Sequence, residues 1–483
     1  MKKSTLKNVS LDLRCNMEKS NELNLEKNKV FIQGTNILNE ENSINKIQSM
    51  LKNYMELDNI SFLFGTGSSI ILGAKSIQTI PLEIEEKVKK ESENLSKTKE
   101  TIYDEFISIL KTLKDIPQSE SIDKIRNKNK EINYSLEKLL NFLIASDFIQ
   151  GYSKDSISYK FIKPLISIIK KELFKLCDLE VQKINESVLD DDGKKHLREN
   201  RYHYHEYFTK KILQRSLNLK RANIFTTNYD LAFDNAFDRL GVNYINGFSG
   251  FHKRYFRPET FEYDIFFPGS TTQGKVQRIE KVLRYFKLHG SLTWINRDPS
   301  ESCLYGIEEV PIDIVRQNGE YDNLMIYPST LKKSYTLDYP YSELLRQFAT
   351  SIARPQSVLI TFGYSFCDEH INDLIYQALT IPSFTLIIID FLGSDGSNEI
   401  KRLKELQDPR IIIMQGKQLG DFPFFVRNVM PDLIEFDTNI KIAETMNVLY
   451  PKTKKDSPDI KKEARTAIKA EIDEDISKES RYE

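Results

Sequence analysis

Apolar residues are distributed in two textures along the chain. In 58–83, and again from 221 onward, they form short unbroken runs that stop at glycine, asparagine or histidine. The run 61–64 stops at Gly65-Thr66-Gly67-Ser68-Ser69 and is followed by the apolar stretch 70–77, an order that predicts strand, glycine turn and helix. A buried strand is predicted over 222–226. Asn228-Tyr229-Asp230 then opens a helix with Phe233, Ala236, Phe237 and Leu240 on its inner face and Gly241 as its C-cap. Further strands are predicted at 284–288, ending in His289-Gly290-Ser291, and at 358–362, ending in Gly363-Tyr364-Ser365 before a helix from about Asp368. Two more, 386–389 and 411–414, flank a charged helix over 398–406. Strands alternating with helices predict an α/β fold with a parallel, doubly wound sheet.

The second texture covers 84–220, which is rich in Lys and Glu and poor in Gly. Leu165, Ile169, Leu173 and Leu176 recur at helical steps, which predicts an inserted helical lobe whose stripes form a bundle core. Residues 1–57 are polar, with a strand-like patch at 29–33 and a helix at roughly 41–56. The end of the chain, from 446 and most densely from 451 to 483, reads as a charged tail, disordered or a solvated helix. The expected organisation is an N-terminal arm and helix (1–57), a core (58–83 and 221–445), the helical lobe (84–220) and the tail (446–483).

Composition narrows the class. At 483 residues, two or three domains are expected, and 40% hydrophobic with 29% charged residues is globular. A net charge of -1 provides no global field for nucleic acid or anionic membrane, although a local basic patch remains open. Cys15, Cys177, Cys303 and Cys367 are far apart, so neither a disulfide framework nor a four-thiolate zinc site is expected. The start of the chain lacks an apolar signal core and no run approaches bilayer length, so a cytoplasmic, non-membrane protein is expected.

The candidate chemistry sits where strands end, because ligands of open α/β sheets gather at the carboxyl edge. Glycines in Gly65-Thr66-Gly67-Ser68 let backbone N–H groups approach a phosphate, yet such a turn is often only a turn, and neither a P-loop nor a complete G-x-G-x-x-G is present. In Thr227-Asn228-Tyr229-Asp230 an amide and a carboxylate could bond a ribose hydroxyl and a carboxamide. Helix capping is the plain alternative. His289 directly follows a strand and precedes a glycine that leaves room beside the imidazole, and the unperturbed histidine pKa, about 6.5, suits a general base near neutral pH. Gly363-Tyr364-Ser365 through His370 could add a phosphate or ribose contact, or cap a helix through the Ser365–Asp368 spacing. The remaining histidines, His196, His203, His205, His252 and His370, show no metal spacing.

Together, and in this order, these segments resemble the sirtuin superfamily, and more closely the sirtuin-like NAD hydrolases of bacterial antiphage defence. Gly65-Thr66-Gly67-Ser68 stands where the family has Gly-Ala-Gly-x-Ser, Thr227-Asn228-Tyr229-Asp230 matches Thr-Gln-Asn-Ile-Asp with Asn and Asp kept, and Leu288-His289-Gly290 matches the catalytic His-Gly. The stretch Gly363-Tyr364-Ser365-Phe366 through Asn372 looks like the defence branch. The resemblance covers about 60–75 and 220–420. Its first motif continues as Gly73-Ala74-Lys75-Ser76 where deacetylases have Gly-Ile-Pro-x-Phe-Arg, and the paired zinc cysteines are missing.

The resemblance implies a sirtuin-like, Rossmann-type sheet with the helical lobe in place of the zinc ribbon. It implies NAD as substrate rather than resident cofactor, no zinc, and water as the acceptor. Gly65, Thr66, Gly67 and Ser68, with Thr227, Gly363, Tyr364 and Ser365, would contact the nucleotide. Asp230 would hold the carboxamide, Asn228 the ribose hydroxyls and water, and His289 would take a proton. It also implies a homo-oligomer, with a DNA-translocase-type ATPase partner or a phage-derived activator. A regulatory subunit that binds NAD or another nucleotide without cleaving it, a zinc-independent deacylase or ADP-ribosyltransferase, and a nucleic-acid-processing subunit are the alternatives.

Overall fold

The computed structural model describes residues 23–38, 43–75, 80–95, 101–121, 134, 136–152, 160–180, 187–189, 195–197, 201–267, 278–319 and 339–433. The chain divides into two units, Met1–Pro431 and Asp432–Glu483. All elements below lie in the first. The expected tail (446–483) and the first residues of the expected arm (1–22) lie outside the described residues.

A hairpin of β1 (Asn28–Ile32) and β2 (Thr35–Asn36) precedes α1 (Ser43–Met55) and β3 (Asn59–Phe64). The helical stretch follows as α2 (Ile80–Leu95), α3 (Ile102–Leu113), α4 (Leu136–Tyr152) and α5 (Ile162–Cys177). Helix α3 starts on a capping box in which Thr101 and Asp104 each accept the other's backbone N–H. A short hairpin, β4 (Ser187–Leu189) with β5 (Lys195–Leu197), leads to α6 (His203–Leu213) and β6 (Asn223–Thr226). Next come α7 (Ala232–Leu240), β7 (Asn243–Ile245), β8 (Phe248–Ser249), β9 (Arg254–Phe256), β10 (Val282–Lys287), β11 (Trp294–Asn296), β12 (Ile307–Glu309) and α8 (Ile312–Asn318). The chain returns through α9 (Tyr341–Ile352), β13 (Ser357–Phe362), α10 (Glu369–Leu379), β14 (Thr385–Asp390), α11 (Asn398–Glu405) and β15 (Ile411–Gly416).

Nine strands form the central sheet in the order β2-β1-β15-β14-β13-β3-β6-β10-β7. From β15 to β7 every neighbouring pair is parallel, and β1 alone runs against the rest, antiparallel to both β15 and β2. The expected α/β class and parallel sheet are therefore present. From β3 the chain builds toward β6 and β10 on one side and, later, from β13 toward β15 on the other. The strand order thus reverses between β3 and β13, the topological switch point of a doubly wound sheet.

Both faces of the sheet are covered, which is why β14 and β15 read as continuous apolar runs rather than alternating ones. On one face Phe62, Phe64 and Phe362 pack against Phe208 of α6, Phe233 of α7, and Phe422 and Phe425. On the other, Leu63, Phe225, Phe286 and Leu359 join Phe348 of α9, Ile371 and Ile375 of α10, and Ile400 and Leu403 of α11. Helices α2–α5 form a separate core that also takes in Leu292, Ile295, Val310 and Val315. That core therefore reaches the segment following His289.

The β4–β5 hairpin interrupts the expected helical lobe, and two further features depart from the expected elements. The stretch 70–77 is not an α-helix where described. Two short 3₁₀ turns, Thr66–Ser68 and Ile70–Leu72, end at Gly73 with φ 94°. Ser68 Oγ donates to the Gly65 carbonyl at 2.9 Å, a local bond that competes with helical pairing. A second, antiparallel sheet in the order β11-β12-β9-β8 was not expected. Its strands are two or three residues long and carry polar partners, such as Arg254 and Glu309 at 2.7 Å, so no apolar alternation marks them.

The α6 face contains His205, fully buried between Phe233 and Phe422 with ring centroids 4.8 Å away from each. Neither ring nitrogen has a hydrogen-bond partner. Burial holds the imidazole neutral and pushes its pKa down to about 3. The unfolded chain, titrating near ~6.5, takes up a proton that the folded protein refuses. This contribution to stability is therefore intact above the unfolded pKa and is lost progressively as the pH falls toward the folded one, by up to ~1.4 kcal/mol per pH unit. His205→Leu should flatten the fall of unfolding free energy between neutral and mildly acid pH, as measured by urea titration. Equal slopes for the two proteins would refute this.

Candidate active site

At the switch point the ends of β3 and β13 meet backbone to backbone. A Cβ on Gly65 would lie 2.4 Å from the Gly363 carbonyl oxygen and 2.7 Å from Tyr364 Cα, and one on Gly67 would lie 2.5 Å from Gly363 Cα. Gly363 has φ +57°, and a Cβ there would strike Gly67 Cα at 2.4 Å. Glycine is required at all three positions by this mutual approach. The Gly65 and Gly67 N–H groups donate to Phe362 and Gly363, and those of Ser68 and Ser69 to Gly65 and Thr66. The expected open row of N–H donors for a phosphate is thus used internally. What this turn offers a ligand is the partly exposed Thr66 and Gly67.

The next strand, β6, ends in the Asn228 turn. Thr226 Oγ1 donates to Phe64 at 3.1 Å and accepts from Asn228 N at 3.0 Å, tying the turn to the end of β3. Asn228 Nδ2 lies 3.0 Å from the Gly65 carbonyl oxygen and 3.1 Å from Ser69 Oγ. Asp230 accepts the Ala232 N–H at 3.0 Å, so it does cap α7, and it also accepts a bond from Ser69. Burial raises its carboxyl pKa, partly offset by the Ala232 N–H and by the Lys287 charge. Ser69 therefore links the amide to the carboxylate, a connection that no spacing in the sequence signals.

Strand β10 lies beside β6 and brings in His289. Leu288 N donates to Thr226, and Leu292 N to Tyr229 at 3.2 Å, so the two turns are joined through their backbones. Gly290 has φ 95° and folds the chain sharply beside the imidazole. Lys287 is almost wholly buried, with its Nζ 3.0 Å from Asp234 Oδ2, 2.7 Å from the Asp230 carbonyl and 2.9 Å from Ser291 Oγ. This ammonium spans the Asp230 and His289 turns. Its only signal in the sequence is a lysine at the end of the strand run 282–288, which also holds Arg284.

The fourth segment behaves differently from its expected capping box. The N-cap of α10 is Asp368, and neither it nor Ser365 makes a side-chain cap bond. Tyr364 turns into the core with its hydroxyl 3.1 Å from Asn372 Oδ1, and burial raises its pKa well above the usual tyrosine value. Ser365 is exposed and accepts a bond from Ser397 through its carbonyl. Asp368 lies at the His289 imidazole, Oδ1 to Nε2 3.9 Å, and the His370 ring lies 5.5 Å from that of His289. Among the sites named from the sequence, Gly65, Gly67, Ser68, Thr227, Asn228, Asp230, His289 and Gly363 thus come from neighbouring strand ends. Further along the same edge, past the ends of β14 and β15, is a cavity of about 190 Å³ lined in part by Lys27, Lys29, Phe391, Leu392 and Lys417. No sequence pattern marks it.

Among the described residues no group of three or more His, Cys, Asp or Glu could hold a metal ion. No described helix is long and apolar enough to cross a membrane. No curated protein matches the chain in sequence. Among solved structures, a crystal structure of a Sir2 homolog–NAD complex is similar at 11% identity over 79% of this chain and 93% of that one, with a TM-score of 0.33. Residues 222–406, which include the Asn228 and His289 turns and the Gly363 segment, match the family model of the SIR2-like domain.

Proposed function

We propose that this protein hydrolyses NAD at the bond between nicotinamide and ribose. The observation that carries the reading is the meeting of the Asn228, Asp230 and His289 turns on adjacent parallel strands, within a stretch similar to the SIR2-like domain. NAD would lie along the carboxyl edge, against Thr66, Gly67, Thr227, Gly363 and Ser365. Asp230, whose carboxyl pKa burial raises, would hold the carboxamide. Asn228 would orient the ribose and the water, exchanging its present internal bonds for these.

The C1′–N bond would break with its electron pair leaving on the nicotinamide nitrogen, which departs neutral. Water oxygen bonds to C1′ of the oxocarbenium-like sugar, and its proton passes to His289 and then to solvent. The products would be nicotinamide and ADP-ribose. A positioned base of this kind contributes roughly 10²–10⁴ in rate. Such an activity would consume a shared metabolite, so it needs gating. Under this reading the assembly is a homo-oligomer in antiphage defence, triggered by a phage component or an ATPase partner, with the lobe at 84–220 and the tail as the contact surfaces.

Incubation of the purified full-length chain with NAD, alone and with candidate activators, is expected to release nicotinamide and ADP-ribose in equal amounts without any peptide acceptor. Tight NAD binding with no product under every condition would favour a nucleotide-binding regulatory subunit instead.

A further inference from the structure

Asp is a favoured N-cap because its carboxylate can accept the first free N–H groups of a helix. Asp368 occupies that position on α10 yet makes no such bond. Its carboxylate, 12% exposed, is instead turned to the His289 imidazole, which is 5% exposed. The turn that delivers it is held under strain. Phe366 sits at φ 57°, a left-handed conformation that a bulky residue rarely adopts. Asn372 Nδ2 bonds the Phe366 carbonyl at 2.8 Å, and Tyr364 OH in turn bonds Asn372. A buried tyrosine–asparagine brace thus fixes a strained turn whose effect is to carry a carboxylate away from its own helix and toward a histidine on another strand.

We propose that Asp368 is a positioning residue of the candidate site: it orients the His289 imidazole and stabilises its protonated form. The statement rests on the reading of His289 as the proton-accepting group. Other groups around this imidazole are the His370 ring on α10, centroids 5.5 Å apart, and the Tyr229 ring from the β6 turn at 6.4 Å. Lys287, on the same strand, is engaged with Asp234 and the Asp230 carbonyl. When His289 takes the proton, the imidazolium forms next to an anion already in place, and no solvent has to reorganise to meet it.

The test uses full-length protein carrying ¹³C-labelled histidine, which has six such residues. His289→Gln identifies the His289 signal by its loss. In Asp368→Asn the midpoint of that signal is expected to fall by about one pH unit or more, because an opposite charge at ~4–6 Å raises a histidine pKa. The fall should recur in a His370→Gln background, and Asp368→Glu should restore part of it. In NAD turnover, the acidic limb of kcat/KM should move down by the same amount in Asp368→Asn, with a plateau about tenfold lower. A merely structural role would lower the rate without moving the limb. If the signal moves and no NAD is cleaved, the pair stands and the hydrolase reading falls. An unmoved His289 signal in a folded Asp368→Asn protein overturns the proposal whether or not NAD is cleaved.

Discussion

His289→Ala protein should release nicotinamide from NAD at no more than about a hundredth of the wild-type rate while unfolding at nearly the same temperature. The loss follows from removing the one imidazole at the end of β10. The retained fold follows from what the substitution leaves alone: the Leu288 N–H to Thr226, the Gly290 N–H to Lys287 and the Leu292 N–H to Tyr229 are all backbone bonds. Asn228→Ala is a less clean probe, because its amide also bonds the Gly65 carbonyl and Ser69. It should lose activity together with ~1–3 kcal/mol of stability. Nicotinamide release by chromatography and thermal unfolding separate the two cases. A His289→Ala enzyme that turns over at the wild-type rate would remove the imidazole from the mechanism.

Lys287→Met should be the most destabilising single change near the site, costing about 3–5 kcal/mol. The methionine matches the lysine stem but leaves the Asp234 carboxylate without its cation in a mostly buried position, where the Tyr285 hydroxyl still donates to it at 3.0 Å. It also leaves the Asp230 carbonyl and Ser291 without their donor. Asp234→Asn in the same background should recover part of the loss, since the orphaned charge is then gone. Urea unfolding of wild type, both single variants and the double gives the coupling. A Lys287→Met protein within about 1 kcal/mol of wild type would mean that the ammonium does not hold these turns together.

Much of the sheet was legible because it is buried on both faces. Runs such as 358–362, 386–389 and 411–414 have no reason to be continuously apolar unless helices cover both sides, and the observed strands extend them by only one or two residues. Helix α7 was legible from its inner face and from Gly241, which does end it in the left-handed region. The 3₁₀ turns after Gly65 were not legible, because the apolar stretch 70–77 has helical character and the competing bonds come from two serines. The second sheet was hidden by its brevity. In the site, Asn228, Asp230 and His289 could be named because each closes a strand. Ser69, Lys287 and Asp368 could not be given roles, because their partners are distant in sequence.

Local pattern alone therefore determined the α/β class, the parallel sheet, the position of the helical stretch and the strand ends that carry polar side chains, since periodicity records which faces are buried. The tertiary structure alone decided which of those ends are neighbours. The order β13-β3-β6-β10 presses Gly363 onto Gly65 and Gly67, brings Thr226 to Phe64, and sets Asp368 beside His289. Periodicity reports whether a residue is inside and cannot report against what, because the partner is chosen by chain crossings of tens of residues whose direction leaves no local trace.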